Sequence, residues 1–145
     1  MLFNGTYTLV NEEGVHKTFL VKTQKKDARF AAGERMVSLL TGTDNESSYK
    51  GFAFVKDDDR ILVWRKKRGN GKMSAFDYFA YLLPKAAQSL IGEEGEELEG
   101  EFEVNGRKYK VLLSKKCMYC NRKLTTPESI RRGVGPECAK MNGLV

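Results

Sequence analysis

The sequence predicts an α+β protein with a small, curved antiparallel sheet or an open barrel, one kinked helix and a C-terminal zinc knuckle. Short segments rich in β-branched and aromatic residues alternate with turn residues along most of the chain. One later segment has the apolar spacing of a helix and a good N-terminal cap. All three cysteines lie near the C-terminus. An OB-like or SH3-like barrel fits this pattern, but the sequence does not give the strand order.

The strand pattern predicts five strands, a helix and then two more strands. The apolar segment 35–40 fits a strand or a helix, and we assign it to a strand because it is short and flanked by turns. Asn105-Gly106 is a type I′ hairpin signal between the last two strands. The expected strands are residues 5–10, 15–22, 35–40, 49–56, 61–66, 102–104 and 109–113.

The helix is expected to begin after Ser74, which suits an N-cap, with Asp77 in the first turn. Pro84 should kink or restart this helix, which then continues to Gly92. The acidic residues 93–101 that follow are interpreted as a solvated turn. The apolar residues that share one face of the first helical part are Phe76, Phe79, Ala80 and Leu83.

The net charge of +6 is unevenly divided along the chain. Residues 1–103 carry fifteen Lys/Arg against seventeen Asp/Glu, whereas residues 104–145 carry ten Lys/Arg against two Glu. The excess positive charge therefore lies in the segment that holds the cysteines, a distribution typical of nucleic-acid binding. We expect two units: an α+β domain over residues 1–114 and a zinc-binding module over residues 115–145.

The cysteines have the spacing of a metal site. Cys117 and Cys120 can reach one ion from a single tight turn, and Cys138 lies where a terminal helix can begin after Pro136. No apolar run approaches a membrane span and no signal-peptide pattern follows the start, so we expect a cytosolic protein with reduced thiols. Thiolate-rich tetrahedral sites usually hold zinc, here in a structural role. Three metal-free cysteines acting as small hydrophobes are the alternative.

The fourth zinc ligand is left open by the sequence. His16 is the sole histidine and would complete a three-thiolate site well, although it also fits an exposed strand position with no ligand role. Glu128 and Glu137 are nearer in sequence, but carboxylates are less usual in structural zinc sites. A water molecule or a ligand from another copy of the chain would also complete the site.

A knuckle that supplies two thiolates and a helix start that supplies another form the layout of treble-clef-like zinc modules. The C-terminal residues resemble a family of bacteriophage and bacterial proteins with a short zinc knuckle and no settled function. The resemblance covers residues 117–140 and follows the pattern C-x2-C-[GN]-R-x-L-T…G-x-G-P-x-C, with Asn121 where many relatives have Gly. A weaker resemblance to phage-borne proteins that end in this knuckle extends over segments of residues 30–64. The resemblance implies a phage or prophage origin, hence a bacterial host cytoplasm, and it implies no reaction.

The segment Arg65–Lys72 is the best candidate for partner binding outside the tail. It places five cations in eight positions after the only tryptophan, on a glycine-containing loop that suits a phosphate backbone. The alternative is a core tryptophan followed by a solvated basic loop. The candidate nucleic-acid-binding residues are Trp64, Arg65, Lys66, Lys67, Arg68, Lys72, Lys115, Lys116, Tyr119, Arg122, Lys123, Arg131 and Arg132.

The sequence is compatible with three functions. The leading one is a zinc protein that binds nucleic acid, DNA in the first instance, through its basic tail and the 65–72 loop. The second is a phage protein-interaction factor that inhibits or redirects a host enzyme, for example one of a defence system. The third, an enzyme, is disfavoured because the chain has one histidine, no Ser/His/Asp arrangement and no nucleotide fingerprint.

Overall fold

The computed structural model describes residues 2–42, 48–91, 98–114 and 140–141. Within these ranges the chain forms seven strands, one short 3₁₀ turn and the α-helix α1, and residues 140–141 are also helical. The α+β class, the seven strands and the helix after the fifth strand are therefore confirmed. The strands β1 to β7 are Gly5–Asn11, His16–Thr23, Arg35–Leu40, Tyr49–Val55, Ile61–Val63, Leu98–Val104 and Arg107–Ser114, the 3₁₀ turn is Arg65–Lys67, and α1 is Ala75–Ser89.

The strands form one open antiparallel sheet in the order β5-β4-β3-β2-β1-β7-β6. Its two edges, β5 and β6, are not paired with each other among the described residues, so the sheet is open there, as the prediction of a small sheet or an open barrel allows. Segment 35–40 is a central strand, β3, paired with β2 and β4. The zinc-knuckle prediction concerns residues outside the described ranges.

Strand β6 corrects the last part of the predicted acidic turn over residues 93–101, namely residues 98–101; residues 93–97 lie outside the described ranges. Leu98 and Val104 are buried while Glu99, Glu101 and Glu103 alternate between them toward solvent. This is the period-2 pattern of a half-buried strand. The glutamates hid that pattern because acidic residues are uncommon in strands. Strand β5 also differs from its prediction, since it ends at Val63 and residues 65–67 turn away as a 3₁₀ helix.

A β-bulge in β4 decides which aromatic side chains enter the core. The register between β3 and β4 shifts at Val37/Ser38, so Ser38 pairs with Gly51 and Val37 with Ala53, leaving Phe52 as the extra residue. Phe52 therefore points into the core, where it contacts the rings of Phe76 and Phe79. Phe54 faces the opposite side of the sheet, which we call the outer face.

The sequence of α1 explains both its start and its packing. Ser74 Oγ accepts the Asp77 N–H and the Asp77 carboxylate accepts the Ser74 N–H, which is a complete capping box. The predicted apolar face packs on the core, and Leu83 is fully buried. The restart predicted as one option at Pro84 is wrong: α1 runs through Pro84, which lacks the N–H that would bond to Ala80.

Helix α1 reaches both edges of the sheet. It contacts β5 on one side and β6 and β7 on the other. At the β6 edge, a side chain added at Gly100 would lie 2.5 Å from the carbonyl oxygen of Ser89, so only glycine permits this approach. Directly after α1, the Ile91 and Glu99 backbones exchange hydrogen bonds of 2.7 and 3.2 Å. The C-terminal end of α1 is therefore fastened to β6.

Candidate nucleic-acid interface

The structure describes six of the predicted nucleic-acid-binding residues, Trp64, Arg65, Lys66, Lys67, Arg68 and Lys72. They form one continuous segment that leaves β5, turns through the 3₁₀ helix and arrives at the N-terminus of α1. The seven others and the three zinc cysteines lie outside the described residues, namely Lys115, Lys116, Tyr119, Arg122, Lys123, Arg131, Arg132, Cys117, Cys120 and Cys138.

The basic loop, residues 65–72, is held in place by hydrogen bonds to the capping residues of α1. The Gly69 N–H donates to Asp77 Oδ2 at 2.7 Å, and Ser74 Oγ donates to the Lys67 carbonyl at 2.8 Å. A side chain at Gly69 would meet the Lys72 carbonyl oxygen at 1.5 Å, so the loop doubles back too closely for any other residue. The loop is consequently an ordered structure with its own hydrogen bonds.

The Asp77 carboxylate, which accepts the hydrogen bond from Gly69, supplies the negative charge at the anchor of the basic loop. The Gly69 N–H and then the Ser74 N–H, both hydrogen-bonded to the carboxylate, hold the pKa of Asp77 below its usual range. The Arg68 charge contributes in the same direction. Asp77 therefore stays ionised and keeps the loop on the helix at neutral pH.

The cations of the basic loop fall into two groups. Lys67 lies with Nζ 5.4 Å from the centre of the Phe76 ring, and Arg68 Nε donates to the Val63 carbonyl at 2.7 Å, so both have structural contacts. The side chains of Arg65, Lys66 and Lys72 are exposed and make no hydrogen bond or ion pair within the described part of the chain. These three are available to an anionic partner.

Trp64 lies at the start of the basic loop and packs on the outer face. Its ring centre is 5.3 Å from that of Phe30 and 5.4 Å from that of Phe54. The space for the indole exists because position 51 is glycine: a side chain there would lie 2.7 Å from Trp64 Cη2. Trp64 is half-buried on the side away from α1, so it is neither a residue of the main core nor fully free. Its buried Nε1 has no hydrogen-bond partner among the described residues.

Phe30 completes an aromatic cluster that sequence reasoning missed. Its ring stacks on Phe54 at 6.2 Å and 24°, while 54% of the residue remains exposed. It is carried by loop 24–34, which is closed by the Gln24 N–H donating to the Glu34 carbonyl at 2.8 Å, and Gln24 Nε2 donates to the Phe30 carbonyl. The signal available in the sequence was the alternation of Phe52 and Phe54 along one strand. The bulge that places Phe52 in the core and Phe54 on the outer face is not visible in the sequence.

Basic residues surround the aromatic cluster. Lys56 Nζ lies 5.5 Å from the centre of the Phe54 ring. Residues 22–30 carry four Lys/Arg against one Asp, and residues 54–68 carry six against three. Two of the three aspartates, in the turn between β4 and β5, are engaged: Asp59 pairs with Arg35 at 3.2 Å, and Asp58 accepts the Arg60 N–H. The surroundings of the cluster are therefore net positive.

His16, the candidate fourth zinc ligand, opens β2 opposite Val10 and is exposed. Strand β7 ends at Ser114, opposite Thr6, which is four residues from Val10 along β1. At about 3.3 Å per residue, Ser114 and His16 are therefore offset by roughly 13 Å along the sheet. Among the described residues, no group of three or more His, Cys, Asp or Glu side chains could hold a metal ion.

Comparison with known proteins gives one match, in the C-terminal part. A family of unknown function, DUF6011, matches residues 111–143, which include all three cysteines and most of the basic tail. No curated protein and no solved structure matches the chain. The match agrees with the resemblance to an uncharacterised family and begins within β7. In the ranges that the structure describes, no helix is long and apolar enough to cross a membrane.

Proposed function

We propose that this chain is a small phage-type zinc protein that binds nucleic acid without catalysis, through its basic C-terminal module and the basic loop. The observation that supports this most is the loop itself. Three exposed cations, Arg65, Lys66 and Lys72, are presented on a segment fixed to the N-terminus of α1 by Asp77 and Ser74. Because the loop backbone is already ordered, contact with phosphates restricts only the side chains of these cations.

The C-terminal module, residues 115–145, supplies further positive charge in this proposal. It carries seven Lys/Arg against two Glu, a balance of five positive charges. Cys117, Cys120 and Cys138 have donor chemistry that suits zinc, and a bound zinc would stabilise a segment too short to bury a large core. The fourth ligand comes from His16, a nearby glutamate, water or another copy of the chain.

Affinity in this proposal is mostly electrostatic. Each phosphate that a Lys or Arg neutralises releases condensed counterions, so binding weakens steeply with salt and discriminates little between sequences. A titration of the full chain with single- and double-stranded DNA and RNA, across salt concentrations from about 50 to 200 mM, tests this directly. We expect binding that weakens by an order of magnitude or more over that range; no binding to any of the four at low salt would refute the proposal.

Zinc binding has its own test. We expect the purified chain to contain stoichiometric zinc, and replacement of Cys117 or Cys138 by Ser to remove it. His16→Ala is the informative comparison: lost zinc places His16 in the site, and unchanged zinc retention removes it from consideration. Because His16 is exposed at the end of a hairpin, this substitution should leave the sheet intact.

A protein-interaction role is the second candidate, and strand β6 is the observation that favours it. Glu99, Glu101 and Glu103 form an exposed acidic row on an edge strand, which suits a basic groove on a host enzyme, for example one of a defence system. Two of them lie opposite Lys110 and Lys108 of β7, which reduces the local negative field. Retention of one specific host protein by the wild-type chain after nuclease treatment, lost on replacing these glutamates by Gln, would favour this role over the first.

A further inference from the structure

The aromatic cluster of Phe30, Phe54 and Trp64 has a feature that the basic loop does not explain. Phe30 is 54% exposed although it belongs to a closed loop and is positioned against two other rings. Leu62, opposite Phe54 on β5, is also exposed, at 39%. An exposed apolar patch on an ordered part of a protein often marks a binding site.

The geometry of the cluster suits a flat partner. Phe30 and Phe54 are nearly parallel, at 24°, and Trp64 meets Phe30 edge-on, at 77°. Trp64 and Phe54 thus support Phe30 from the side and from one face. Phe30 retains exposed surface on which another ring can stack, and stacking on a ring already held in place costs little ordering.

The charge around the cluster identifies the kind of flat partner. Lys56 lies over Phe54, and the exposed cations Arg65 and Lys66 follow Trp64 directly in the chain. A neutral aromatic peptide would gain nothing from this positive surround, whereas a nucleic acid offers a base to the ring and phosphates to the cations. Bases of a duplex are already stacked on one another, so only a single strand, or an unpaired region, can offer a free base face.

We infer that Phe30, supported by Phe54 and Trp64, is a base-stacking platform that gives this protein a preference for single-stranded nucleic acid. The inference rests on the proposed nucleic-acid binding and specifies which form is bound. Trp64 contributes by holding Phe30 and, as the only tryptophan, by reporting on the site. Stacking of this kind is tolerant of sequence because every base has an aromatic face.

Binding of two oligomers separates stacking from charge. One is an oligothymidylate of about 12 nucleotides, within the usual footprint of single-strand binders. The other is an abasic oligomer of the same length, which has the phosphates and no bases. The wild-type chain should bind the thymidylate roughly tenfold more tightly or better, with a change in Trp64 fluorescence, and should prefer it to its duplex with oligoadenylate.

Phe30→Ala should bring the affinity for thymidylate down to that for the abasic oligomer and leave the salt dependence unchanged, while Phe30→Tyr should keep the preference. Tyr81→Ala is the matched control, because Tyr81 is an aromatic residue of α1 that is 46% exposed and has Lys85 Nζ 5.0 Å from its ring centre. It should behave as wild type.

Equal wild-type binding of both oligomers would overturn the stacking platform and leave the charge-based proposal standing. Binding of neither would overturn both. A preference for thymidylate that survives Phe30→Ala would place base recognition elsewhere in the chain and would also overturn the platform.

Discussion

The two edges of the sheet are built from similar parts and arranged in opposite ways. Each carries a stacked aromatic pair: Phe30 and Phe54 near β5, Phe102 and Tyr109 near β6. The β6 pair packs against the core under α1, whereas the β5 pair lies on the outer face with Phe30 exposed. The charges also differ, because the segment after β5 is basic and β6 carries a row of glutamates.

This difference distinguishes an edge that is attached to α1 from an edge that keeps an exposed surface. The β6 edge is fastened to α1 through Gly100, Ser89 and the bridge between Ile91 and Glu99. At the β5 edge, the cap of α1 holds the basic loop through hydrogen bonds. The cations Arg65, Lys66 and Lys72 of this loop, and Phe30, remain exposed. Burial stabilises the fold at one edge, and the other edge keeps the exposed surface that we propose as the binding site.

The sharpest test of the comparison is the same substitution at both edges. Leu98 of β6 is 7% exposed and Leu62 of β5 is 39% exposed. Leu98→Ala should lower the free energy of unfolding by roughly 2–5 kcal/mol, because it leaves a cavity in the core. Leu62→Ala should cost less than about 1 kcal/mol. Urea denaturation measures both, and equal losses would show that the β5 edge is packed as tightly as the β6 edge.

Two glycines give the next largest effect. Gly100→Ala forces a side chain against the Ser89 backbone and should destabilise the fold by about 1–3 kcal/mol. Gly69→Ala cannot keep the turn back to Lys72, so it should open the basic loop and weaken nucleic-acid binding, with less effect on the unfolding midpoint. If Gly69→Ala unfolded the protein while leaving affinity per folded molecule unchanged, the assignment of the loop to binding would be wrong.

The two ends of α1 provide a smaller matched pair. Ser74→Ala removes the N-cap and should cost about 1 kcal/mol of unfolding free energy. Ser89 only donates to the Ala86 carbonyl at the other end, so Ser89→Ala should change stability by less than about 0.5 kcal/mol. Thermal unfolding followed by circular dichroism distinguishes them; equal shifts in midpoint would argue against the cap as the anchor of the loop.

The smallest effect is a pH dependence confined to the β5 edge. Because the pKa of Asp77 is lowered in the folded protein, its contribution to stability is present above the usual carboxyl pKa of about 4 and is lost as the pH falls through the lowered value. The Gly69 and Ser74 amide resonances should shift together with Asp77, with a midpoint below about 4. A midpoint at or above the ordinary value would mean that these N–H groups do not hold the carboxylate.

Much of the fold follows from local signals in the sequence. The capping residues Ser74 and Asp77, the Asn105-Gly106 turn and the alternating strands 5–10 and 15–22 each gave the right element, because the deciding interactions are short-range. The first part of strand β6, residues 98–101, was missed since its pairing with β7 and its packing under α1, rather than its composition, make it a strand. The strand order depends on long-range packing and had no local signal.

The candidate site was predictable only in its charged part. The run from Arg65 to Lys72 is contiguous, so its position after Trp64 could be read directly. Phe30 comes from a loop more than thirty residues earlier, and the partner face of Phe54 is set by the bulge at Val37/Ser38. Neither the contact of Phe30 with this site nor the face on which Phe54 lies can be inferred without the pairing of β3 with β4.

The most direct test of the central claim, that the β5 edge contacts the phosphates, is the salt dependence of binding in two charge-matched variants. One replaces Arg65, Lys66 and Lys72 by Ala; the other replaces Arg107, Lys108 and Lys110 of β7 by Ala. For a single strand the slope of log affinity against log salt changes by about 0.7 per phosphate contact. We predict that the first variant loses about 2 from the magnitude of this slope and the second keeps the wild-type value. Equal slopes in the two variants would contradict the account.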